Sequence, residues 1–462
     1  MKDKTVNKNT NDFLPLLAAV AFAYFAFGAI TNVAGAIIPK IRETYNVSSS
    51  LSAALAATFF IAYGLTSIPW GVFMEKNSKK TTLVISSVIT TLGVILFASV
   101  PGFLPNMISM FLCGVGITGI QVALNPLVAE ISDPSKYSRN LTMFMVINGA
   151  GSSLAGIFVT AIENNGFHWT MTYWIFTAIA IVMTLAVSFP KYPKNEGAND
   201  IDEESRASGS SEMSASAIAK ARSDELHTRC KATNSENLTI ELLTKNPLIY
   251  LYAVGIFLYV GVEVGVANTI ALYFEDKLQI FSVIQSAQDL IGSGSIGQAY
   301  AVVLNFFGQE ANAEGAKNLV ISFYWLGLLF GRFVGAAILD KVPGKYAIMG
   351  YITLAATSLF FATNTEDISI ALWAFPAIGF FISIMFPTIY STCTNAFPKE
   401  YSSAISGILC TAIIGGAVIG PVIAFVAELT QGAEAVPNWD AGLLVAYACY
   451  AYIFVVGLFS RK

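Results

Sequence analysis

The sequence predicts an all-α polytopic membrane protein with twelve transmembrane helices, arranged as two parallel six-helix repeats. Three observations predict it. Of the 462 residues, 55% are hydrophobic and only 12% are charged, where soluble domains average about 25% charged. Apolar runs near the ~20 residues that cross a bilayer recur along the whole chain. Landmarks in the first half then return in the second half at a nearly constant spacing.

The predicted spans fall at 13–38, 51–73, 81–100, 103–129, 137–162 and 170–189, then at 248–274, 319–339, 346–363, 368–394, 403–428 and 441–459. The first run is too long for a signal-peptide core and is followed by eleven more, so it reads as a span. Between the sixth and seventh spans the chain turns polar: PKYPKNEGANDIDEESRASGSSEMSAS opens a segment, 190–246, that lacks the apolar content to fold alone. Within it, LTIELLTK (Leu238 to Lys245) has the makings of a short surface helix. Residues 275–318 form a long, partly apolar insertion between the seventh and eighth spans. The expected organisation is a six-helix bundle over 1–189, a cytoplasmic linker over 190–246, and a second bundle over 247–462 carrying the extracellular insertion.

Lys and Arg set the orientation. With the N-terminus inside, 21 of the 26 basic residues lie on the inner side, four lie outside (Lys40, Arg42, Lys277, Lys317), and Arg332 lies within a span. That asymmetry places both termini in the cytoplasm of a cell bounded by this membrane.

The repeat is read from matched landmarks. Glu75-Lys76 after span two answers Asp340-Lys341 after span eight, 265 residues on. Pro126 answers Pro387 at 261, while Tyr137-Ser138 answers Tyr401-Ser402, and Gly151 and Gly156 answer Gly415 and Gly420, all at 264. Parallel repeats of this kind place a solute site at their interface near the midplane.

Glu263 is the chief candidate functional residue. It lies in GIFLYVGVEVGVANTIALYF, where a carboxylate costs a few kcal/mol or more unless it meets a cavity or a partner. Such groups line solute or ion paths. The alternative is a structural ion pair with Arg332. Glu263 lies about 3 Å outward of its span centre and Arg332 about 4–5 Å inward of its own, at 1.5 Å per residue, and a long arginine can bridge that.

Other motifs carry no site. The five cysteines, Cys113, Cys230, Cys393, Cys410 and Cys449, lack disulfide or metal spacing and read as packing. Gly149, Gly151 and Gly156 sit inside span five with no preceding strand, so they mark close helix packing rather than a nucleotide loop. Asn46-Val-Ser48 is a sequon meaningful only in a secretory pathway, and His168 and His227 are too far apart for a metal pair. No basic patch points to nucleic acid, and no nucleophile, metal cluster or phosphate loop points to an enzyme.

Several motifs resemble a known family. GVFMEKNSKK, Gly71 to Lys80, resembles the signature between spans two and three of major facilitator transporters, with Gly71, Glu75, Lys76, Lys79 and Lys80 in place and Ser78 where a glycine is usual. GFFISIMFPTIYS, ALNPLVA, YVGVEVG, FYWLGLLFGRFVG and IIGGAVIGPV are similar to spans ten, four, seven, eight and eleven of the fucose–galactose–glucose symporter family, nearest its glucose/galactose branch. The resemblance implies a major facilitator fold and transport of a sugar, usually driven by protons. It also implies a gating role for Gly71, Glu75, Lys76, Lys80, Asp340 and Lys341 at the inner helix ends.

The departures alter the expected coupling. The family's proton-coupled fucose carriers place an aspartate where Gly35 stands, a glutamate where Gln121 stands and an asparagine where Ile382 stands. Neither Gly35 nor Gln121 can hold a proton for transport. Glu263 could carry a proton or, with amide oxygens such as Asn268 nearby in sequence, coordinate Na⁺. On these grounds Na⁺ is favoured over H⁺ as coupling ion, with Glu263 and Asn268 as its ligands.

A sugar needs hydrogen-bonding groups for its hydroxyls and an aromatic plate for its apolar face. The expected binding residues are Asn32, Gln121, Asn125, Asn148 and Glu263 for the first need, with Trp325 and Tyr390 for the second; Tyr259 and Phe386 also offer aromatic faces. The expected protein is a monomeric hexose transporter of the plasma (inner) membrane, in contact with lipid, without cofactor or bound metal beyond the coupling ion. A sugar uniporter, an exporter of amphipathic compounds and a non-transporting sensor remain alternatives.

Overall fold

A computed structural model describes residues 14–47, 49–193, 238–276, 313–365, 368–431 and 437–460. Most of the linker and most of the 275–318 insertion, with His227 and Cys230, lie outside the described residues.

The helices follow the predicted spans closely. They are α1 (Leu14–Tyr45), α2 (Ser49–Lys76), α3 (Lys79–Ser99), α4 (Phe103–Ile131), α5 (Tyr137–Asn164), α6 (Thr172–Ser188), α7 (Leu248–Asp276), α8 (Ala313–Leu339) and α9 (Gly344–Thr363). The tenth predicted span is split into α10 (Ile368–Ile382) and α11 (Met385–Ala396), and the eleventh into α12 (Ser402–Thr411) and α13 (Gly415–Leu429), before α14 (Trp439–Phe459). A further helical run covers 238–245, where the sequence predicts a short helix. Eleven stretches of the described residues are long and apolar enough to cross a membrane; α5, which carries Arg139, Asn140, Asn148 and Glu163, is not among them.

The break in the tenth span has a covalent cause. Pro387 has no N–H to give the carbonyl four residues back and its ring crowds that carbonyl. The helix accordingly opens at Ser383 and Ile384. In the eleventh span the chain tightens to a 3₁₀ turn over Ala412–Ile414 before the Gly415-Gly416 pair. Pro126 sits inside α4 without ending it, but it likewise leaves the carbonyl of Val122 without its helical donor.

Two compact units result. One gathers α1 to α4, α6, the part of α5 from Gly151 onward, and α12. The other gathers α5 up to Ala150 with α7 to α11, α13 and α14. The boundary of these units therefore departs from the sequence halves at α5 and at the α12–α13 break.

In the first unit α4 is the central helix, buried from Ile117 to Val128 without interruption. Lipid tails are as apolar as leucine, so helices in a bilayer associate through close packing of small residues. The run Cys113 to Gly119 supplies them: Gly114 faces Phe59 and Ala62 of α2, and Gly116 faces Thr90 and Ser86 of α3. Ser78, the departure from the usual glycine, caps α3, its Oγ accepting from Thr81 N at 3.0 Å. At the opposite end Phe97 stacks on Tyr173 at 3.8 Å and Trp169 Nε1 donates to Thr44 Oγ1.

In the second unit α8 packs on α10, and α9 on α10 and α14. Gly255 of α7 faces Val456 of α14. The described cysteines, Cys113, Cys393, Cys410 and Cys449, are all buried.

Candidate functional site

The polar heart of the second unit is built on α7 and α8. Glu263 lies one residue from the centre of α7. Arg332 Nη2 reaches its Oε1 at 3.3 Å, and both side chains are about nine-tenths buried. These are the only buried charged side chains among the described residues. A planar guanidinium offers five donors in a fixed fork, and Arg332 spends them on three helical segments. Nη1 donates to the Met145 carbonyl of α5 at 3.3 Å, and Nε donates to the Ser383 carbonyl at 3.4 Å. That last acceptor is the carbonyl that Pro387 leaves without a helical partner.

Tyrosines enclose the carboxylate. Tyr324 donates its hydroxyl to the Glu263 carbonyl at 3.0 Å. Tyr259, one helical turn before Glu263, is fully buried beside the pair. Asn148 is half-buried on α5, one turn beyond Met145 and next to Gly149, which faces Arg332 and Leu329.

The first unit carries a second polar cluster. Gln121 and Asn125 are four residues apart on α4 and so share a face. Tyr63 of α2 donates to Gln121 Oε1 at 2.8 Å, and Tyr24 of α1 donates to Asn125 Oδ1 at 2.8 Å. Both amides are buried. With its oxygen engaged, Gln121 presents its amide nitrogen as a donor. Ser406 of α12 donates to the Val122 carbonyl at 2.7 Å. This is the carbonyl freed by Pro126, so each proline of the matched pair exposes an acceptor that another helix takes up.

The remaining candidates are dispersed. Asn268 is exposed on α7, five residues from Glu263 and hence about 140° around the helix, so it does not join the carboxylate. Trp325 is 36% exposed, its ring edge-on to Tyr324 at 5.5 Å. Tyr390 is fully buried and stacks on Phe386 at 5.8 Å. The side chain of Asn32 lies outside the described residues. Tyr24, Tyr63, Tyr324 and Ser406 were not singled out in the sequence.

The lysine-rich helix ends hold the signature residues. A Cβ on Gly71 would stand 2.9 Å from the Ser403 carbonyl and 3.2 Å from Gly407 Cα, so α2 and α12 touch backbone to backbone. Glu75 is half-buried and Lys76 exposed. Lys79 pairs with Glu130 at 2.9 Å, and Lys80 lies over the Tyr192 ring at 5.9 Å. In the second unit Asp340 receives Arg139 Nη1 at 2.9 Å, while Lys341 is exposed. The Arg139 and Asp340 side chains are 32% and 43% exposed, so removal of the pair is expected to cost under about 1 kcal/mol of stability. Reversing Arg139 alone should slow transport, and reversing both charges (R139D with D340R) should restore it. Initial uptake rates check this; equal loss in the single and double variants would exclude a pairwise role.

With this geometry in view, the chain can be compared with known proteins. The profile described as Major Facilitator Superfamily matches residues 20–421. The chain belongs to that superfamily. A glucose/galactose transporter of Brucella abortus biovar 1 is 26% identical, the match covering 96% of this chain and 94% of the relative. The L-fucose-proton symporter of Escherichia coli K12 is 20% identical over 100% and 96% of the two chains. Among solved structures, the major facilitator transporter FucP in its outward conformation superposes with a TM-score of 0.70 at 17% identity, covering 98% of this chain and all of that one. The proton:xylose symporter XylE superposes with a TM-score of 0.66 at 12% identity. The major facilitator fold and the resemblance to the fucose–galactose–glucose family thus hold along nearly the whole chain. These relatives are transporters rather than enzymes, and the chain is a multi-pass integral protein of the plasma membrane.

Proposed function

We propose that this protein moves a hexose or related sugar across the membrane by alternating access, in symport with a proton exchanged at Glu263. The names of the full-length relatives support the sugar class. One observation supports the ion: the only buried carboxylate among the described residues is held by a single guanidinium.

The sodium preference expected from sequence finds no support in this arrangement. Na⁺ needs several oxygen ligands, but the guanidinium already occupies one side of Glu263 and repels a second cation. Asn268, the other expected ligand, faces elsewhere on α7. The fucose relative is named for the proton. A proton requires no coordination shell. Its arrival neutralises Glu263 and frees Arg332 Nη2, while the Met145 and Ser383 carbonyls keep the guanidinium in place. The released N–H can then donate to a sugar oxygen.

The twelve-span count, the inner placement of both termini and the halves 1–189 and 247–462 are part of the same proposal, and rest on the basic-residue asymmetry and the matched landmarks. So is a monomeric state. The test is uptake of labelled D-glucose, D-galactose and L-fucose into proteoliposomes under an inward H⁺ or an inward Na⁺ gradient. Accumulation with H⁺ alone is expected. Accumulation with Na⁺ alone would overturn the ion, equilibration with neither would establish uniport, and no flux of any sugar would overturn the substrate class.

A further inference from the structure

Two buried tyrosines of the second unit, Tyr259 and Tyr450, carry hydroxyls near Glu263 and Tyr324. Tyr450 is 3% exposed and its hydroxyl has no hydrogen-bond partner, while Tyr259, 1% exposed, turns its hydroxyl toward the Glu263–Arg332 pair. A buried hydroxyl left unpaired calls for an explanation, most often an ordered water. Their position supplies one. Both lie within electrostatic reach of Tyr324, which itself donates to the Glu263 carbonyl.

The polar groups continue beyond them. On α14, Tyr447 precedes Tyr450 by one turn and follows Asp440 by two, so the three lie along one side of the helix. Tyr447 lies near Asp440 and Tyr450, and its hydroxyl also faces Thr363 of α9. Asp440 stands in the first turn of α14, at the helix end opposite the lysine-rich one, where its Oδ1 accepts from Tyr273 of α7 at 3.3 Å. Oxygen-bearing side chains thus run from a partly exposed carboxylate to the buried one, through helices that are otherwise apolar.

We infer that Asp440, Tyr447, Tyr450, Tyr324 and Tyr259, with waters between them, form a proton path to Glu263. This rests on the proton reading of Glu263. Each hydroxyl or water accepts a proton on one side and releases another on the far side. A proton taken up at Asp440 therefore ends on a Glu263 oxygen, and every tyrosine is left neutral. The groups facing the path are Tyr273 on α7, Thr363 on α9 and Cys449 on α14. Arg332 and the Ser383 and Met145 carbonyls border only its inner terminus at Glu263. Arg332 is the only cation among them, so protons reach the guanidinium's own partner without passing a positive charge.

The test uses the full chain in proteoliposomes loaded with a pH-sensitive dye, with D-glucose, D-galactose and L-fucose as probes. Tyr450→Phe and Tyr447→Phe remove a hydroxyl each while keeping the ring. Sugar-triggered proton influx is expected to fall on the order of a hundredfold in each, the lower end of what a positioned proton-transfer group contributes. Sugar–sugar exchange, which needs no net proton movement, should change less than twofold and so shows that each variant is folded. Tyr452→Phe is the control, since its hydroxyl bonds the Leu251 carbonyl outside the path; it should match the wild type in both assays. Wild-type proton influx with undiminished influx in both variants would overturn the path alone. Sugar exchange without any wild-type proton influx would overturn the path and the proton reading of Glu263 together.

Discussion

Replacing Arg332 with leucine is expected to cost more stability than any other single change in the second unit. It leaves Glu263 buried without its cation, and it strips the donor from the Met145 and Ser383 carbonyls. Removing one partner of a buried pair typically costs about 3–5 kcal/mol, because the stranded charge has lost both water and counter-charge. Adding Glu263→Gln should recover part of that loss, since a neutral amide needs no cation. Arg332→Lys should recover little: an ammonium on a flexible stem cannot meet three acceptors on three helical segments in the fixed geometry of a guanidinium. The measurement is apparent melting of the purified protein in detergent. The expected order is wild type, then the double variant, then Arg332→Leu lowest. An Arg332→Leu protein as stable as wild type would show that the pair does not hold these helices together.

The second large effect is expected at Gly71. Its missing Cβ is the space into which the α12 backbone fits, and Gly407 reciprocates, with a Cβ there only 3.1 Å from the Ser67 carbonyl. The obstructing atoms are backbone, so they cannot rotate aside. Gly71→Val should cost about 1–3 kcal/mol by overpacking and lift α12 off α2, lowering transport at least as much as that energy implies. Gly71→Ala should lie between. Cys410, fully buried on α12, reports the same event directly. Maleimide should label it faster in Gly71→Val than in wild type. Unchanged Cys410 labelling with lost transport would mean that Gly71 acts on something other than this contact.

The spans were legible because an apolar run long enough for a bilayer has few other uses. Breaks in the tenth and eleventh spans were not. Pro387 was visible as a landmark of the repeat, but its effect falls on the carbonyl four residues earlier, at Ser383, which carries no mark in the sequence. The pairing of Glu263 with Arg332 could be raised from depth alone, since both charges sit in apolar runs at compatible levels. The other acceptors of Arg332 could not, because they are backbone carbonyls.

Asn268 shows the opposite failure. It is close to Glu263 along the chain, but five residues turn it well away around α7, and reading oxygens by proximity in sequence ignored that rotation. Gln121 and Asn125 were marked by polarity within an apolar span, and their spacing of four already put them on one face. Their partners Tyr24 and Tyr63 were hidden among 19 tyrosines. Ser406 was equally silent, since a serine in a membrane helix usually bonds its own preceding turn. Only the freed carbonyl of Val122 gives it a distant partner.

Glu263 is the group proposed to exchange the proton that drives sugar uptake. The most direct measurement is proton influx triggered by sugar in proteoliposomes, with wild type beside Glu263→Gln, which keeps the shape and a hydrogen-bonding oxygen but cannot be deprotonated. Influx is expected in the wild type and none in the variant, with sugar exchange retained in both. Proton influx in Glu263→Gln equal to that of the wild type would contradict it.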